Sequence, residues 1–264
     1  MKSCVRGNDS LTDIFPCNKG VWQGCLLSPV LFALYLNDLN THIKKYSQGV
    51  LINDFQVHSL LYADDLVLIA KDKKDLQTQF NALEKFSKSL KMKVNMNKTK
   101  IMIIRKNRLK TRSQSNNKTI WKIGDKEIKE CDSYKYLGVT IKSNGSFSEH
   151  IDKIKEKSHK AYLSLISKSK EWGGFSPRLF LYLFDHTIAP ILNYASEVWG
   201  FEEWPKLETL HLKACKYELG VRSNTTTDAV YADFGRMSLQ CHRHSNILKF
   251  FTRISALDSE LYAS

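Results

Sequence analysis

Two adjacent aspartates, Asp64 and Asp65, stand between apolar residues in the stretch SLLYADDLVLIA, residues 59–70. The apolar flanks are typical of buried β-strands and predict hairpin arms near residues 57–62 and 66–70. Ionised carboxylates are costly to bury without a positive partner. Because neighbouring residues on a strand point to opposite faces, the two carboxylates can serve one site only at a bend, which the turn of a hairpin provides.

A divalent cation would remove the repulsion between two such carboxylates, which is about 4 kcal/mol at a separation of about 4 Å and an effective dielectric near 20. Oxygen ligands of this kind suit Mg²⁺ or Mn²⁺. One interpretation is therefore a metal site on a rigid hairpin. The other is an exposed Asp-Asp turn between ordinary core strands, and the tetrapeptide YADD alone does not separate the two.

A glycine-containing loop precedes the hairpin in the stretch KGVWQGCLLSPVLF. Gly24 allows the backbone to approach a ligand closely, and Gln23 offers both a hydrogen-bond donor and an acceptor. Ser28 is a suitable N-cap and Pro29 suits the first helical position, so a helix is predicted to begin there. The same residues also fit a loop that does no more than lead into a capped helix.

The remaining pattern predicts a mixed α/β first half and a helical second half. The histidines at positions 150, 159 and 211 are interpreted as surface residues of helices. Strands are predicted at 101–104, 120–123 and 127–131. In the first half, helices are predicted from Ser28 to about Tyr46 and from Asp72 or Lys73 to about Leu90. In the second half, helices are predicted from a Ser146/Glu149 capping box to about Glu171, from Ser176-Pro177 with an interruption near Pro190, at about 205–219 and at about 239–256.

The formal charge of the 264-residue chain is +13, and it is distributed unevenly. Residues 1–70 carry five basic and six acidic side chains, whereas residues 88–118 carry eleven basic ones and no acidic one. This distribution favours a polyanionic partner such as nucleic acid. An ordinary solvated basic face is the alternative that charge alone leaves open.

The composition indicates a folded protein, with 42% hydrophobic and 11% aromatic residues. No apolar run approaches the roughly 20 residues that span a bilayer, and the first residues lack the apolar segment of a signal peptide. The six cysteines show no metal-type pairing, which is typical of reduced thiols. We therefore expect an intracellular protein, nuclear or cytoplasmic, that is not secreted and has no membrane partner.

Five blocks in a fixed order resemble the reverse transcriptases of LINE-type (non-LTR) retrotransposons. GVWQGCLLSPVLFALYLNDL and LLYADDLVLIAKD resemble two adjacent motifs of the polymerase palm, and LKMKVNMNKTKIMI resembles the next one. YKYLGVTIKSNGSFSEHI resembles the primer-grip region, and the stretches IAPILNYASEVWG and LGVRSNTTTDAVYADFGRMSLQCHRH resemble the thumb and post-thumb region. The resemblance covers nearly the whole chain, which makes it far more specific than YADD alone.

The resemblance implies RNA-directed DNA polymerase activity with Mg²⁺ or Mn²⁺, an RNA template, a DNA primer and deoxynucleoside triphosphates. The implied mechanism is nucleotidyl transfer by two metal ions about 3.5–4 Å apart. It also implies catalytic and binding roles for ten residues. These are metal binding by Asp64 and Asp65, protonation of the leaving pyrophosphate by Lys98, nucleotide and template contacts by Gln23 and Gly24, and primer contacts by Tyr62, Ala63, Tyr136, Leu137 and Gly138.

The implied fold class is α+β, with a partial polymerase palm built of the catalytic hairpin and packed helices, followed by a mainly helical thumb. The expected division is a palm at residues 1–105, a linker and primer-grip hairpin at 106–145, and a thumb with post-thumb region at 146–264. The family carries another metal-binding aspartate on an earlier strand. Neither Asp9 nor Asp13 follows such a strand, so the chain is expected to be a C-terminal half, unstable and inactive alone.

Two other functions compete with the polymerase. The chain could be a non-catalytic RNA- or DNA-binding protein that uses its basic helices, or a translated retrotransposon remnant with no selected role. Asp233 in VYADFG repeats the Tyr-Ala-Asp sequence but is interpreted as structural. Cys241, His242 and His244 lie close together in sequence, but their spacing is poor for zinc, even with Cys215 as a further ligand.

Overall fold

The computed structural model describes residues 2–7, 10–16, 20–22, 24–104 and 120–257. They divide into two compact units, which are described separately. The first unit comprises Met1–Ile101 and Thr111–Glu130, and the second comprises Met102–Lys110 and Cys131–Ser264. The boundary after Glu130 lies within the predicted linker and primer-grip segment, 106–145. The predicted division into palm, linker with primer grip, and thumb stays a prediction. The predicted basic linker at 106–118 lies outside the described residues.

The first unit combines three helices with small sheets. Strands β1 and β2, β3 and β4, and β5 and β6 form antiparallel pairs, while β9 lies between β7, which is parallel to it, and β8, which is antiparallel. The elements are β1 (Lys2–Ser3), β2 (Phe15–Pro16), α1 (Ser28–Leu36), α2 (Leu39–Lys44), β3 (Val50–Ile52), β4 (Phe55–Val57), β5 (Ser59–Tyr62), β6 (Asp65–Leu68), α3 (Lys73–Ser89), β7 (Lys100–Ile101), β8 (Trp121–Ile123) and β9 (Lys126–Glu130).

Helix α3 supplies much of the core of the first unit. It begins as predicted, because the side chain of Asp72 accepts a hydrogen bond of 2.8 Å from the backbone N–H of Asp75. Phe80, Leu83 and Phe86 recur at helical spacing and are buried. Burial of each such side chain stabilises the fold by about 1.5–3 kcal/mol. The predicted strands near 120–123 and 127–131 are also confirmed, as β8 and β9.

The predicted helix from Ser28 to about Tyr46 is wrong in two respects. Leu27 occupies the N-cap position, and the Ser28 hydroxyl donates to the Trp22 carbonyl at 2.6 Å instead of capping the helix. The helix also breaks at Asn37 and Asp38, two residues of low helix propensity. The predicted strand at 101–104 is wrong beyond residue 101, where β7 ends.

The second unit is a strand pair followed by helices, which confirms the predicted change in character along the chain. Ser176 caps α5 by accepting a hydrogen bond from the N–H of Leu179, and the predicted interruption before Pro190 separates α5 from α6. The elements are β10 (Ser133–Tyr136), β11 (Val139–Lys142), α4 (Ser148–Glu171), α5 (Pro177–Thr187), α6 (Ala189–Leu192), α7 (Ser196–Trp199), α8 (Pro205–Leu219), α9 (Thr227–Phe234) and α10 (Leu239–Ser255).

The predicted capping box at the start of α4 is wrong. The helix begins at Ser148 with Phe147 at the N-cap position and without a side-chain cap. The carboxylate of Glu149 instead pairs with Lys153 at 2.7 Å, one helical turn away. In this i,i+4 pair the carboxylate binds a lysine one turn further along the helix. In a capping box it would instead accept a hydrogen bond from the backbone N–H of the N-cap residue.

One continuous core joins the helices of the second unit. Phe180, Phe184, Leu192 and Leu207 are fully buried in it, and Trp199 is almost so. The side chains come from α4 to α10, so the core depends on contacts between residues far apart in sequence. In the described part of the chain, no helix combines the length and apolar character that crossing a membrane requires.

The prediction that His150 and His211 lie on the surface is wrong. His150 is 3% exposed, and its Nδ1 accepts a hydrogen bond from the backbone N–H of Thr140 at 3.3 Å. His211 is fully buried between the rings of Phe184 and Tyr231. Only His159 is exposed as predicted among these three.

His211 gives the second unit a specific dependence on pH. Burial and the positive charge of Arg236 lower the pKa of His211 to about 4, from an ordinary value of 6.5, while Asp185 acts in the opposite direction and His242 adds to the lowering. The unfolded imidazole therefore binds a proton at a higher pH than the folded one. We expect the free energy of unfolding to fall by about 1.4 kcal/mol per pH unit between about pH 6.5 and pH 4, with a total near 3 kcal/mol.

Denaturant unfolding at several pH values measures this loss in the native chain and in His211→Gln. The variant should lack that part of the slope, because glutamine does not titrate. His159→Gln, at an exposed position, is the control and should keep the native slope. Equal slopes for the native chain and His211→Gln would contradict the prediction.

Candidate active site

The predicted hairpin around the paired aspartates is confirmed. Strands β5 and β6 pair so that Tyr62 lies opposite Asp65, which leaves Ala63 and Asp64 as a two-residue turn. Ala63 has a left-handed backbone with φ 52°. The ladder continues outward through a hydrogen bond of 2.8 Å from the N–H of Ile69 to the carbonyl of His58. The apolar strands therefore hold the two carboxylates at the tip of a regular hairpin.

Both carboxylates at this tip are exposed. Neither Asp64 nor Asp65 forms an ion pair or a side-chain hydrogen bond with any residue that the structure describes. Two unpaired carboxylates on consecutive residues form a locally negative site with hard oxygen atoms. Such a site attracts a divalent cation, which would balance its charge.

The donor set fits Mg²⁺ or Mn²⁺. Magnesium is commonly held by one or two carboxylates together with water and substrate phosphates, so Asp64 and Asp65 supply a sufficient protein contribution for one ion. Within the described ranges, no group of three or more histidine, cysteine, aspartate or glutamate side chains could hold a metal. Any third protein ligand would therefore come from outside the described residues. The metal role of both aspartates stays a prediction.

The glycine-containing loop is described only in part, because Gln23 lies outside the described residues. Gly24 lies in a turn with φ +82°, and nothing lies within 4 Å of the position a β-carbon would take. Trp22 is 60% exposed. The space beside Gly24 is therefore open, and its contact with nucleotide or template stays a prediction. Asp9 also lies outside the described residues, while Asp13 is exposed and belongs to no strand.

Lys98 lies in a turn that leads into β7. The side chain of Asn95 accepts hydrogen bonds from the backbone N–H groups of Asn97, at 3.2 Å, and Lys98, at 3.3 Å. This Asx-type turn fixes the backbone at Lys98, and the residue is exposed. Its proposed part in proton transfer stays a prediction.

A second two-residue hairpin turn carries the predicted primer-binding residues, and it belongs to the second unit. Tyr136 pairs with Val139, and the turn residues Leu137 and Gly138 have φ of 44° and 87°. Two successive residues with positive φ are typical of a type I′ turn, which suits the twist of the strands. Glycine avoids the strain of this conformation at the second position.

Tyr194 anchors this second turn, and sequence reasoning gave it no role. Its hydroxyl donates to the carbonyl of Leu137 at 3.0 Å, and its ring lies against Gly138. The two partners are 57 positions apart in sequence. Tyr194 lies in the block IAPILNYASEVWG, which resembles the thumb and post-thumb region. Nothing in the sequence, however, indicated its contact with the turn at Leu137 and Gly138.

Gly138→Ala should destabilise this turn. A β-carbon would lie 2.7 Å from Cε1 of Tyr194, at a backbone φ of +87°. The conformation alone costs about 1–3 kcal/mol for a residue with a side chain, and displacement of Tyr194 adds to it. Gly145→Ala is the matched control, because Gly145 has φ +74° but nothing within 4 Å. Denaturant unfolding should show the larger loss for Gly138→Ala, and equal losses would contradict the role of Tyr194.

The structure also shows where the other chemistry-bearing residues lie. Asp233 lies on helix α9, which confirms that its surroundings are not a hairpin, and its interpretation as a structural residue stays a prediction. Cys241, His242 and His244 lie on α10, whereas Cys215 is buried in the core of the second unit. The described cysteines, at positions 4, 25, 131, 215 and 241, form no disulfide with one another.

Comparison with known proteins shows the family. The model for "Reverse transcriptase (RNA-dependent DNA polymerase)" matches residues 1–141, more than half of the chain. This chain therefore belongs to the reverse transcriptase family, and the resemblance to LINE-type enzymes is confirmed. All ten predicted site residues lie within the matched range.

Curated relatives come from mobile elements. The chain is 23% identical over 213 residues to the RNA-directed DNA polymerase from mobile element jockey of Drosophila melanogaster, covering 78% of this chain and 22% of that protein. It is 26% identical over 137 residues to the Pol polyprotein from type-1 retrotransposable element R2 of Nasonia vitripennis, covering 51% and 13%. It is 31% identical over 97 residues to a Transposon TX1 protein of Xenopus laevis, covering 36% and 7%. The chain thus spans less than a quarter of the length of each of these relatives.

Proposed function

We propose that this chain carries the metal-binding and primer-binding parts of an RNA-directed DNA polymerase of a non-LTR retrotransposon. The observation that supports this most directly is the β5–β6 hairpin, whose tip holds Asp64 and Asp65 exposed and unpaired among the described residues. A binding protein that contacts polyanions has no use for paired acids at a turn, because they repel phosphate. A polymerase does, because these carboxylates would hold Mg²⁺, which would offset the negative charge of the substrate phosphates.

The proposed roles follow the geometry of the two hairpins. Asp64, in the turn, is the more direct metal ligand, and Asp65 completes the pair. Bound metal supplies activation of the primer hydroxyl and neutralisation of charge on the leaving pyrophosphate. Lys98 would donate a proton to that pyrophosphate, as a positioned general acid.

Other residues would contact the substrates. Tyr62 and Ala63 lie beside the carboxylates on the same hairpin, where the primer terminus would lie, and Tyr136–Gly138 would hold the primer through the second hairpin. The open backbone at Gly24 supports close approach of the incoming deoxynucleoside triphosphate or the template base, with Gln23. RNA template and DNA primer are the partners that this arrangement requires.

The finer architecture belongs to the same proposal. The first unit would correspond to part of a polymerase palm, and the helices of the second unit to a thumb that contacts the phosphates of the RNA–DNA duplex. Because the described residues supply one carboxylate pair and no third acidic ligand, we propose that the chain alone does not extend a primer.

Primer extension with Mg²⁺ or Mn²⁺ tests this function. The chain should show no incorporation of deoxynucleotides alone, and incorporation when co-expressed with a polypeptide that carries the additional metal-binding strand. Clear incorporation by the chain alone would overturn the proposed incompleteness. No incorporation in the reconstituted form, with both parts folded and associated, would overturn the polymerase proposal.

A second candidate function, nucleic-acid binding without catalysis, is supported by the charge arrangement on α4. Every acidic side chain of this helix is paired with a lysine: Glu149 with Lys153, Glu156 with Lys160, Glu171 with Lys168, and Asp152 with Lys206. Lys155, Lys157 and Lys170 have no ion pair with a described residue and keep their positive charge for a partner. Since Lys206 of α8 compensates one of the four acids, three of the six lysines of α4 stay uncompensated by described residues, whereas the helix alone has a net charge of +2.

Neutralising these three lysines should weaken binding to an RNA–DNA duplex. If each of Lys155, Lys157 and Lys170 contacts one phosphate, their joint change to Gln should reduce the slope of log affinity against log salt by about 2–3. Filter binding or anisotropy at several salt concentrations measures the slope.

Lys153, Lys160 and Lys168 provide the matched control, since their joint change to Gln alters the net charge equally but removes lysines already paired with acids. A smaller effect on binding is expected from this control. Equal effects of the two triple variants would show that only net charge matters and would contradict the assignment. Asp64→Ala should leave this binding intact.

A further inference from the structure

A cleft of about 600 Å³ opens on the surface of the second unit and takes no part in the proposed catalysis. Its volume falls in the range of sites that hold small molecular groups, about 300–1,000 Å³. The lining contains two aromatic rings, Tyr182 and Phe234, the guanidinium of Arg178, and an ion pair between Asp185 and Arg236. The cleft thus combines aromatic rings, an arginine cation, and an ion pair that offers both hydrogen-bond donors and acceptors.

The ring of Tyr182 is exposed and held in place. The side chain is 57% exposed, and the ring lies against that of His186 with centroids 4.1 Å apart and an angle of 31° between the planes. The imidazole is itself fixed, because its Nδ1–H donates to the carbonyl of Tyr182 at 2.8 Å. A ring already restrained by a neighbour loses little conformational entropy when a further ring stacks on it.

The ion pair in the cleft is bidentate and partly buried. Both terminal nitrogens of Arg236 donate to the two carboxylate oxygens of Asp185, and its Nε–H donates to Nε2 of His211 at 3.0 Å. The pair leaves the outer N–H groups of the guanidinium and the remaining lone pairs of the carboxylate for a ligand. Neighbouring donors and acceptors in one plane suit the edge of a nucleobase.

Arg178 supplies a positive charge that no carboxylate of the described residues compensates, unlike that of Arg236, which is paired with Asp185. It is exposed and forms no ion pair or side-chain hydrogen bond with a described residue. Arg178, Tyr182 and His186 are spaced by four positions and share one face of α5. An aromatic ring next to an uncompensated guanidinium is the combination with which proteins bind unpaired bases, by stacking on the base and contacting the phosphate.

We infer that this cleft binds an unpaired nucleotide of a single-stranded nucleic acid, with the base stacked on Tyr182 and the adjoining phosphate on Arg178. A base within a duplex does not fit, because its faces are covered by its neighbours. The site is independent of the carboxylates at Asp64 and Asp65, so its test does not depend on polymerase activity.

Fluorescence of a single-stranded oligonucleotide that contains the base analogue 2-aminopurine tests the inference. The native chain should quench the fluorescence on binding, because stacking on an aromatic ring quenches this base. Tyr182→Ala should lower the affinity by about tenfold or more, and Tyr182→Phe should retain it. Arg178→Gln should reduce the slope of log affinity against log salt by about 0.7, the value of one phosphate contact on a single strand.

Matched controls separate the cleft from general charge. Arg222→Gln removes the same charge from an exposed position elsewhere in the second unit and should leave quenching unchanged. The inference is overturned if Tyr182→Ala binds like the native chain, if Arg222→Gln weakens binding as much as Arg178→Gln, or if a fully paired duplex or free AMP competes for the Tyr182-dependent quenching as well as an unlabelled single strand does. Probes of RNA and DNA, compared at equal salt, identify which strand the cleft prefers, and binding of either supports it.

Discussion

Asp64→Asn is expected to reduce primer extension by the reconstituted polymerase by at least about a thousandfold. The change keeps the size of the side chain but removes the negative charge with which Asp64, in the turn of the β5–β6 hairpin, would hold the proposed metal ion. Metal ions contribute several kcal/mol of charge stabilisation to such transition states, and about 4 kcal/mol corresponds to a thousandfold in rate. Single-turnover incorporation of one deoxynucleotide measures the loss directly.

The neighbouring β3–β4 hairpin offers a matched control for this variant. Strands β3 and β4 are also joined by a two-residue turn, Asn53 and Asp54, with Asn53 at φ 52° and Asp54 exposed. Asp54→Asn makes the same chemical change at the same kind of position and should keep nearly full activity. Titration with Mn²⁺, followed by electron paramagnetic resonance, should show weaker binding for Asp64→Asn only. Equal activity of the two variants would contradict the metal role of Asp64.

Glu208→Gln is expected to destabilise the second unit by about 3–5 kcal/mol, the usual effect of removing one partner of a buried ion pair. Arg243 is 0% exposed, and its Nη2 donates to Oε1 of Glu208 at 3.1 Å. The same carboxylate accepts backbone hydrogen bonds from Leu239 and Gln240 at the start of α10, and one from the hydroxyl of Tyr231. Glutamine would leave the guanidinium buried without a counter-charge and would present an amide donor where only donors approach.

Hydrogen exchange of peptides from α8 and α10 measures this loss within the second unit. The exchange rates should rise by about 100-fold or more, which corresponds to about 3 kcal/mol. Glu203→Gln, at an exposed position, should change them little. Adding Arg243→Met to Glu208→Gln should restore part of the protection, since the buried charge is then gone. A loss below about 1 kcal/mol for the single variant would contradict the importance of the pair.

Local patterns in the sequence were sufficient where one short segment decides the structure. The Asp72 cap of α3, the Ser176-Pro177 start of α5 and the β5–β6 hairpin each depend on residues within a few positions of one another. The tip that presents Asp64 and Asp65 could be predicted for the same reason. Its apolar arms and two-residue spacing leave little choice of register.

Local patterns failed where a distant or competing partner decides the structure. Ser28 donates to the carbonyl of Trp22 and Glu149 pairs with Lys153, so neither performs the predicted capping. The signal that would have identified His211 as buried was present, since Leu207 and Cys215 lie four positions before and after it on the core face of α8. The contact of Tyr194 with Leu137 had no such signal, because it joins elements 57 positions apart.

The core of the second unit also sets when that unit can fold during synthesis. Its buried side chains begin at Ile151 and end at Leu239, with members contributed along the whole interval. At about 5–20 residues per second, the ribosome needs roughly 4–18 s to add these ~90 residues. Until Leu239 has emerged from the exit tunnel, apolar side chains such as Phe180 and Phe184 lack their final neighbours. The nascent chain therefore passes through an interval in which chaperones have accessible apolar segments to bind.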